Sequence, residues 1–152
     1  MKKVLLVLSL ALLGLNVNAQ SDCSDLITES YDDFDNEYTY RTSPLGWDYL
    51  MTRVGKYYYL RVSTPAYTTG AIGESGLTLI LKDGTRLFWD VKLDTDVSSS
   101  GAYYVVSAFV SLSESQLNKL SESNPSKARL YVFDKKFEDK EYSTAFKCIM
   151  SK

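Results

Sequence analysis

Apolar and polar residues alternate with a period of two along most of this chain, which is typical of β-strands that bury one face. Eight segments fit this pattern in a chain of 152 residues. They predict a mainly β fold, either an antiparallel β-sandwich or a partly closed barrel. The segments are DLITESY, EYTYRT, WDYLMTRV, KYYYLRVS, the two arms of GLTLILKDGTRLFWDVKL, AYYVVSAFVSL and ARLYVFD. The longest flexible loops are predicted at PAYTTGAIGESG and DTDVSSSG.

The clearest element is the hairpin GLTLILKDGTRLFWDVKL, because its central Asp-Gly pair is a strong hairpin signal. A two-residue turn at this pair would place Ile80 opposite Leu87 on one face. Leu79 would then lie opposite Phe88 on the other face. Since both faces would be apolar, we expect this hairpin in the middle of the fold.

One short surface helix is predicted near residues 114–122. Ser113 is placed to cap its first turn, and Gln116, three residues later, is placed to reach back to the cap. The tail EYSTAFKCIMSK is open between a short C-terminal helix and an edge strand. Its apolar residues recur at helical spacing, but the segment is also short and contains β-branched residues.

The chain begins with the three parts of a secretory signal peptide: two lysines, an apolar run too short to span a bilayer, and a polar exit. Val17 and Ala19 are the small residues that a signal peptidase accepts, so we predict cleavage before Gln20. The signal peptide would then cover 1–19 and a single mature domain 20–152. A buried or membrane-anchoring helix is the alternative. We expect an exported protein, periplasmic or extracellular, with no transmembrane anchor after cleavage.

The charge of the sequence bears on its partners, and its cysteine content bears on its compartment. The chain has 17 Lys and Arg against 19 Asp and Glu, a net charge of −2, and cleavage would also remove Lys2 and Lys3. An acidic chain without a long basic run argues against nucleic acid as a partner. The two cysteines, Cys23 and Cys148, are predicted to form one disulfide that joins the chain ends in an oxidising compartment. Two separate buried thiols are the alternative.

Histidine is absent from the sequence, which removes the usual general base, the Ser-His-Asp triad and most zinc sites. We therefore expect a protein that is not an enzyme and has no cofactor. A glycoside hydrolase needs only two carboxylates and stays as an alternative, with Glu29, Glu37 and Glu74 as candidates.

The acidic segment 32–37 offers oxygen ligands for calcium, and Asp94 and Asp96 offer more from another loop. Its spacing does not match an EF-hand loop, and an acidic turn between two strands gives the same composition. No metal site is predicted, and calcium binding by this segment is left open.

Three consecutive tyrosines stand in KYYYLRV. In a strand they alternate between faces, so Tyr58 shares a side with the core while Tyr57, Tyr59 and Arg61 share the other. Tyrosine beside arginine forms a workable platform for sugar rings or for a protein contact. The alternative is that these tyrosines simply cover a half-buried sheet face.

The order of a tyrosine-rich strand, LTLILKDGT, LSESQLNKLSES with ARLYVFD, and FKCIM resembles a group of small secreted β-sandwich proteins of Gram-negative bacteria, most without an assigned activity. The resemblance extends over most of the mature chain. It implies a β-sandwich and export, and it transfers no catalytic or binding residue. We therefore expect a secreted binding or structural module whose partner is a glycan or another envelope protein. A carbohydrate-binding module and a carboxylate-based hydrolase are the alternatives.

Overall fold

The structure is a computed structural model that describes residues 23–42, 48–70, 72, 76–90 and 93–152. The predicted signal peptide over 1–19 lies outside the described residues. In the part of the chain that is described, no helix is long and apolar enough to span a membrane.

The described backbone forms ten strands and three short helices. The strands are β1 (Ile27–Asp32), β2 (Glu37–Thr42), β3 (Tyr49–Val54), β4 (Tyr57–Ala66), β5 (Leu77–Leu81), β6 (Arg86–Trp89), β7 (Asp94–Ser100), β8 (Tyr103–Ser111), β9 (Pro125–Leu130) and β10 (Phe133–Lys136). The helices are α1 (Cys23–Leu26), α2 (Glu114–Glu122) and α3 (Tyr142–Met150).

The strands form two antiparallel sheets, which confirms the predicted β-sandwich. The large sheet has six strands in the order β1-β2-β3-β4-β8-β7, and the small sheet has four in the order β10-β9-β5-β6. The core lies between their inner faces, where alternate residues of each strand are buried. The large sheet contributes Met51, Leu60, Val62, Val106 and Ala108, and the small sheet contributes Leu77, Leu79, Leu81, Leu87 and Leu130.

Helix α3 covers the part of the large sheet that the narrower small sheet leaves open. It contacts β1, β2 and β3, and its apolar residues include the fully buried Phe146 and Ile149. Tyr49 of β3 is also fully buried, and its ring centroid lies 5.0 Å from that of Tyr142 and 5.4 Å from that of Phe146. The open question about the C-terminal tail is thus answered: it is a helix, because its helically spaced apolar residues have a sheet face to cover.

The disulfide joins Cys23 to Cys148, as predicted, with the two Cα atoms 5.5 Å apart and a sequence separation of 125 residues. It fastens α1, which leads into β1, to α3. A cross-link over so long a loop stabilises the fold by about 4 to 5 kcal/mol in the chain-entropy account.

Helix α2 begins as the sequence predicts. The side-chain Oγ of Ser113 accepts from the backbone N–H of Gln116 at 3.3 Å, and Oε1 of Gln116 accepts from the backbone N–H of Ser113 at 2.9 Å. These reciprocal bonds satisfy two donors that the first helical turn leaves free. The buried Leu117 and Leu120 form the apolar edge of this helix.

The predicted register of the β5–β6 hairpin is wrong by one residue. The backbone N–H of Leu81 donates to Thr85 and that of Gly84 donates to Leu81, so the turn holds three residues. Gly84 has a φ of +87°, the left-handed conformation that the last residue of a three-residue hairpin turn adopts. Leu79 therefore lies opposite Leu87 on the buried face, and Phe88 is 55% exposed. The hairpin is not in the middle of the fold, because β6 is an edge strand.

Two further segments differ from their predicted secondary structure. DTDVSSSG, predicted as a loop, provides the edge strand β7, whose backbone pairs with β8 although its serines give no apolar alternation. ARLYVFD, predicted as one strand, is divided between β9 and β10 by a turn at Tyr131, which has a φ of +55°.

The buried phenol of Tyr49 generates a prediction about alkaline stability. Burial raises the pKa of this phenol well above its usual range, the nearby Tyr142 raises it further, and its hydroxyl has no hydrogen-bond partner in the described chain. Above about pH 10 the unfolded phenol ionises while the folded one stays neutral, so the free energy of unfolding falls.

We expect Tyr49→Phe to be no less stable than the parent at pH 7, with a gain of about 1 kcal/mol at most, because it removes an unsatisfied buried hydroxyl. It should also lose less stability between pH 9 and pH 11. Urea denaturation at these pH values measures both effects. Tyr57→Phe, at an exposed tyrosine, is the control. Alkaline curves that coincide for all three proteins would contradict the assignment.

Candidate functional site

Strand β4 presents the predicted residues on the outer face of the large sheet. Tyr57 is 58% exposed and Tyr59 36% exposed, whereas Tyr58 is half-buried against the core and Leu60 is fully buried. Alternation places Arg61 on the same side as Tyr57 and Tyr59, with steps of about 7 Å between successive side chains. The structure thus brings the three predicted residues together on one face.

Neighbouring strands add side chains to this face. Across β3, Thr52 lies opposite Tyr59 and Leu50 lies opposite Arg61. Across β8, Phe109 lies opposite Arg61 and is 38% exposed. We call Tyr57, Tyr59, Arg61 and Phe109 the tyrosine face.

Arg61 is held in a defined position at the centre of the tyrosine face. Its Nη2 donates to the Oγ of Ser107 at 3.0 Å, and that oxygen lies 2.8 Å from the Oγ of Ser63. The guanidinium carbon of Arg61 lies 5.6 Å from the ring centroid of Phe109, a cation–π contact. Its Nε is buried without an acceptor, and no carboxylate of the described residues lies within ion-pair distance of it. The arginine is therefore oriented by its neighbours and forms no ion pair within the described chain.

A shallow cavity of about 420 Å³ extends from Arg61 and Phe109 towards the first strands of the sheet. Arg41 of β2 lines it, together with the hydroxyl-bearing Thr28 and Thr52. The cavity therefore combines an aromatic wall, two guanidinium groups and several hydroxyls. These groups can pack against a ring and donate hydrogen bonds to its oxygens.

Sequence reasoning missed Phe109 and Arg41. A weak signal exists for Phe109, because alternation in its strand groups it with Ser107 and Ser111, which are polar. Its position beside Arg61 depends on the pairing of β4 with β8, which are far apart in sequence. Arg41 carries no comparable signal in the sequence.

The acidic segment forms the turn between β1 and β2. Oδ1 of Asp32 accepts from the backbone N–H of Phe34 at 2.9 Å and of Asp35 at 3.3 Å, and Asn36 has a φ of +54°. Asp94 and Asp96 lie on β7 at the opposite edge of the large sheet, across from Phe109 and Ser107 of β8 and on the same outer face. Across the described ranges, no three Asp, Glu, Cys or His side chains are grouped as a metal site would require.

The candidate carboxylates of a hydrolase are not brought together by β1 and β2. Glu29 lies opposite Tyr40, and Glu37 lies opposite Asp32. Because side chains alternate along a strand, Glu29 and Glu37 point to opposite faces of the sheet. Glu74 lies outside the described residues.

A second aromatic group lies on the inner side of β1 to β3. The ring centroids of Tyr31 and Tyr38 are 4.8 Å apart, and those of Tyr38 and Tyr40 are 6.2 Å apart. Arg53 continues this row, with its guanidinium carbon 5.8 Å from the ring centroid of Tyr40. Its Nη1 donates to the carbonyl of Ile149 in α3 at 3.4 Å. Arg53 therefore joins this aromatic row to the helix.

Comparisons of the chain with protein-family models, with curated proteins and with solved structures found no match.

The different burial of the three consecutive tyrosines predicts different costs of removal. We expect Tyr58→Ala to lose about 2 to 3 kcal/mol of unfolding free energy, below the range for fully buried aromatic residues because Tyr58 is only half-buried. Tyr57→Ala and Tyr59→Ala should each lose less than about 1 kcal/mol. Urea denaturation of the single variants measures these values, with Leu60→Ala as a core control. Equal losses at all three tyrosines would mean that both faces of β4 are buried.

Proposed function

We propose that this protein is an exported, non-enzymatic carbohydrate-binding module that holds a glycan on the tyrosine face. The observation that carries the proposal is the exposure of Tyr57, Tyr59 and Phe109 on one sheet face around the oriented Arg61.

Aromatic rings on a strand present a large apolar surface at a low cost in side-chain entropy. The carbon-bound hydrogens of a sugar ring can pack against such a surface. Its hydroxyls can then bond to the guanidinium groups of Arg61 and Arg41 and to the oxygens of Thr28 and Thr52. Because these side chains stand on paired strands, little ordering is needed when a ligand binds.

Export is supported by two separate features. The disulfide between Cys23 and Cys148 is a bond that persists in oxidising compartments. The predicted signal peptide over 1–19 would direct the chain to the periplasm or beyond the cell. The absence of histidine from the sequence supports a role in binding rather than in catalysis.

A glycan array probed with the mature chain tests the proposal. We expect selective binding to a small set of glycans, and Tyr59→Ala should lower the affinity for them by about three- to tenfold, since one stacking contact is lost. Arg61→Lys should also bind more weakly, because lysine keeps the positive charge but lacks the planar guanidinium group with its several donors.

Tyr31→Ala is the matched control, because Tyr31 is 46% exposed but lies away from the tyrosine face. It should leave glycan binding unchanged, and the melting temperature of each variant separates lost binding from lost folding. A chain that binds no glycan on the array, or an equal loss in Tyr31→Ala and Tyr59→Ala, would rule out the proposal.

A further inference from the structure

The outer face of the small sheet concentrates positive charge on a chain that is acidic overall. Arg86 of β6, Lys127 and Arg129 of β9, and Lys136 of β10 are all exposed there. The whole chain has a net charge of −2, so this grouping is not a consequence of composition. We call these four residues the basic face.

Strand register sets the basic side chains in a row across the sheet. Lys127 lies opposite Lys136 on one side and opposite Ile80 on the other, and Ile80 lies opposite Arg86. Neighbouring strands are about 4.8 Å apart, so Lys127 and Lys136 are close neighbours. Like charges directly opposite each other destabilise a sheet. The row is therefore an unfavourable arrangement for the isolated protein.

The adjacent row of side chains on this face contains one carboxylate, and it is already paired with an arginine. Asp134 lies opposite Arg129 and accepts from its Nε at 2.6 Å and from its Nη2 at 2.8 Å, so both oxygens of this carboxylate bond to one guanidinium. These bonds lower the pKa of Asp134 and raise that of Arg129, and the nearby charge of Lys127 also lowers the pKa of Asp134. Within the described chain, Arg86, Lys127 and Lys136 have no carboxylate within ion-pair distance.

The basic face is concave. A cavity of about 410 Å³ lies between Arg86 and the two lysines, and the half-buried Ile80 and the paired Arg129 and Asp134 also line it. Phe88, which is 55% exposed, stands in the adjoining row on β6. A chain-like ligand would therefore meet cations on both sides, with an apolar surface between them.

We propose that the basic face is a second binding site and that it takes a polysaccharide carrying carboxylate or sulfate groups. A repeating polyanion would neutralise Arg86, Lys127 and Lys136 together, which no described residue does. The outer faces of two packed sheets point in opposite directions. This site is therefore separate from the tyrosine face, and both can be occupied at once.

Other anionic partners fit the geometry less well. An acidic peptide that joins a sheet pairs with a strand edge, whereas these cations lie across the sheet face, where the backbone groups of β5 and β9 are already paired. A membrane surface suits a protruding apolar face better than a groove. Nucleic acid is disfavoured by the disulfide, which is typical of compartments outside the cytoplasm.

Calorimetric titration of the mature chain with polygalacturonate and with heparin tests this proposal. We expect binding to at least one polymer that weakens as salt is raised from 20 to 150 mM, as with other polyelectrolyte contacts. The double variant Lys127→Ala/Lys136→Ala should lose about tenfold or more in affinity, because it removes two of the three cations that form no ion pair within the described chain. It should melt no lower than the parent, since it relieves a like-charge repulsion.

The matched control is Lys119→Ala/Lys147→Ala, which removes the same charge from exposed positions on α2 and α3. It should bind the polymers as the parent does, and so should Tyr59→Ala, so that failure of this site and failure of the tyrosine face are distinguishable. Lack of binding to both polymers, or an equal loss in the control, would overturn the proposal. Tighter binding to polyglutamate or to phosphatidylglycerol vesicles would instead assign the basic face to an acidic peptide or to a membrane.

Discussion

The packing of Tyr49 against the C-terminal helix is the interaction on which the rest of the structure depends. Its ring lies on the inner face of the large sheet and contacts Phe137, which follows β10, as well as Tyr142 and Phe146 of α3. Four strands cannot cover the whole inner face of a six-stranded sheet, so a helix covers part of the remaining face. Without this contact the fully buried ring of Tyr49 would be exposed to water.

Two further links hold the helix in the same place. The disulfide between Cys23 and Cys148 fastens it to the segment before β1, and Arg53 donates to the carbonyl of Ile149 near its end. The stability of the large sheet thus comes from its inner face. Its outer face is free to carry exposed aromatic and basic residues, which contribute little to folding and can be used for binding.

Much of the fold could be predicted from the sequence, because local chemistry determines it. The cap at Ser113 defines the start of α2, and alternation along KYYYLRV separates Tyr58 from its neighbours. The register of the β5–β6 hairpin could not be predicted, because it depends on how Gly84 closes the turn. Strand β7 is held by backbone pairing with β8, and its serines leave no apolar pattern to detect.

The two candidate sites could be predicted only in part, because they too depend on how strands pair. Tyr57, Tyr59 and Arg61 belong to one strand, so alternation alone groups them. Phe109 joins them through the pairing of β4 with β8, and Arg86 is placed in one row with Lys127 and Lys136 through the pairing of β5 with β9, strands far apart in sequence. Such pairings depend on tertiary structure, which no short stretch of the chain reveals.

The central claim is that the inner face of the large sheet stabilises the fold while the outer face binds. Amide chemical-shift mapping of the labelled protein, titrated with the oligosaccharide bound most tightly on the array, tests it most directly. The account predicts that the largest changes fall on β3, β4 and β8, around Tyr59, Arg61 and Phe109. Changes centred instead on Tyr31 and Tyr38, or on the residues of α3 that pack against Tyr49, would contradict it.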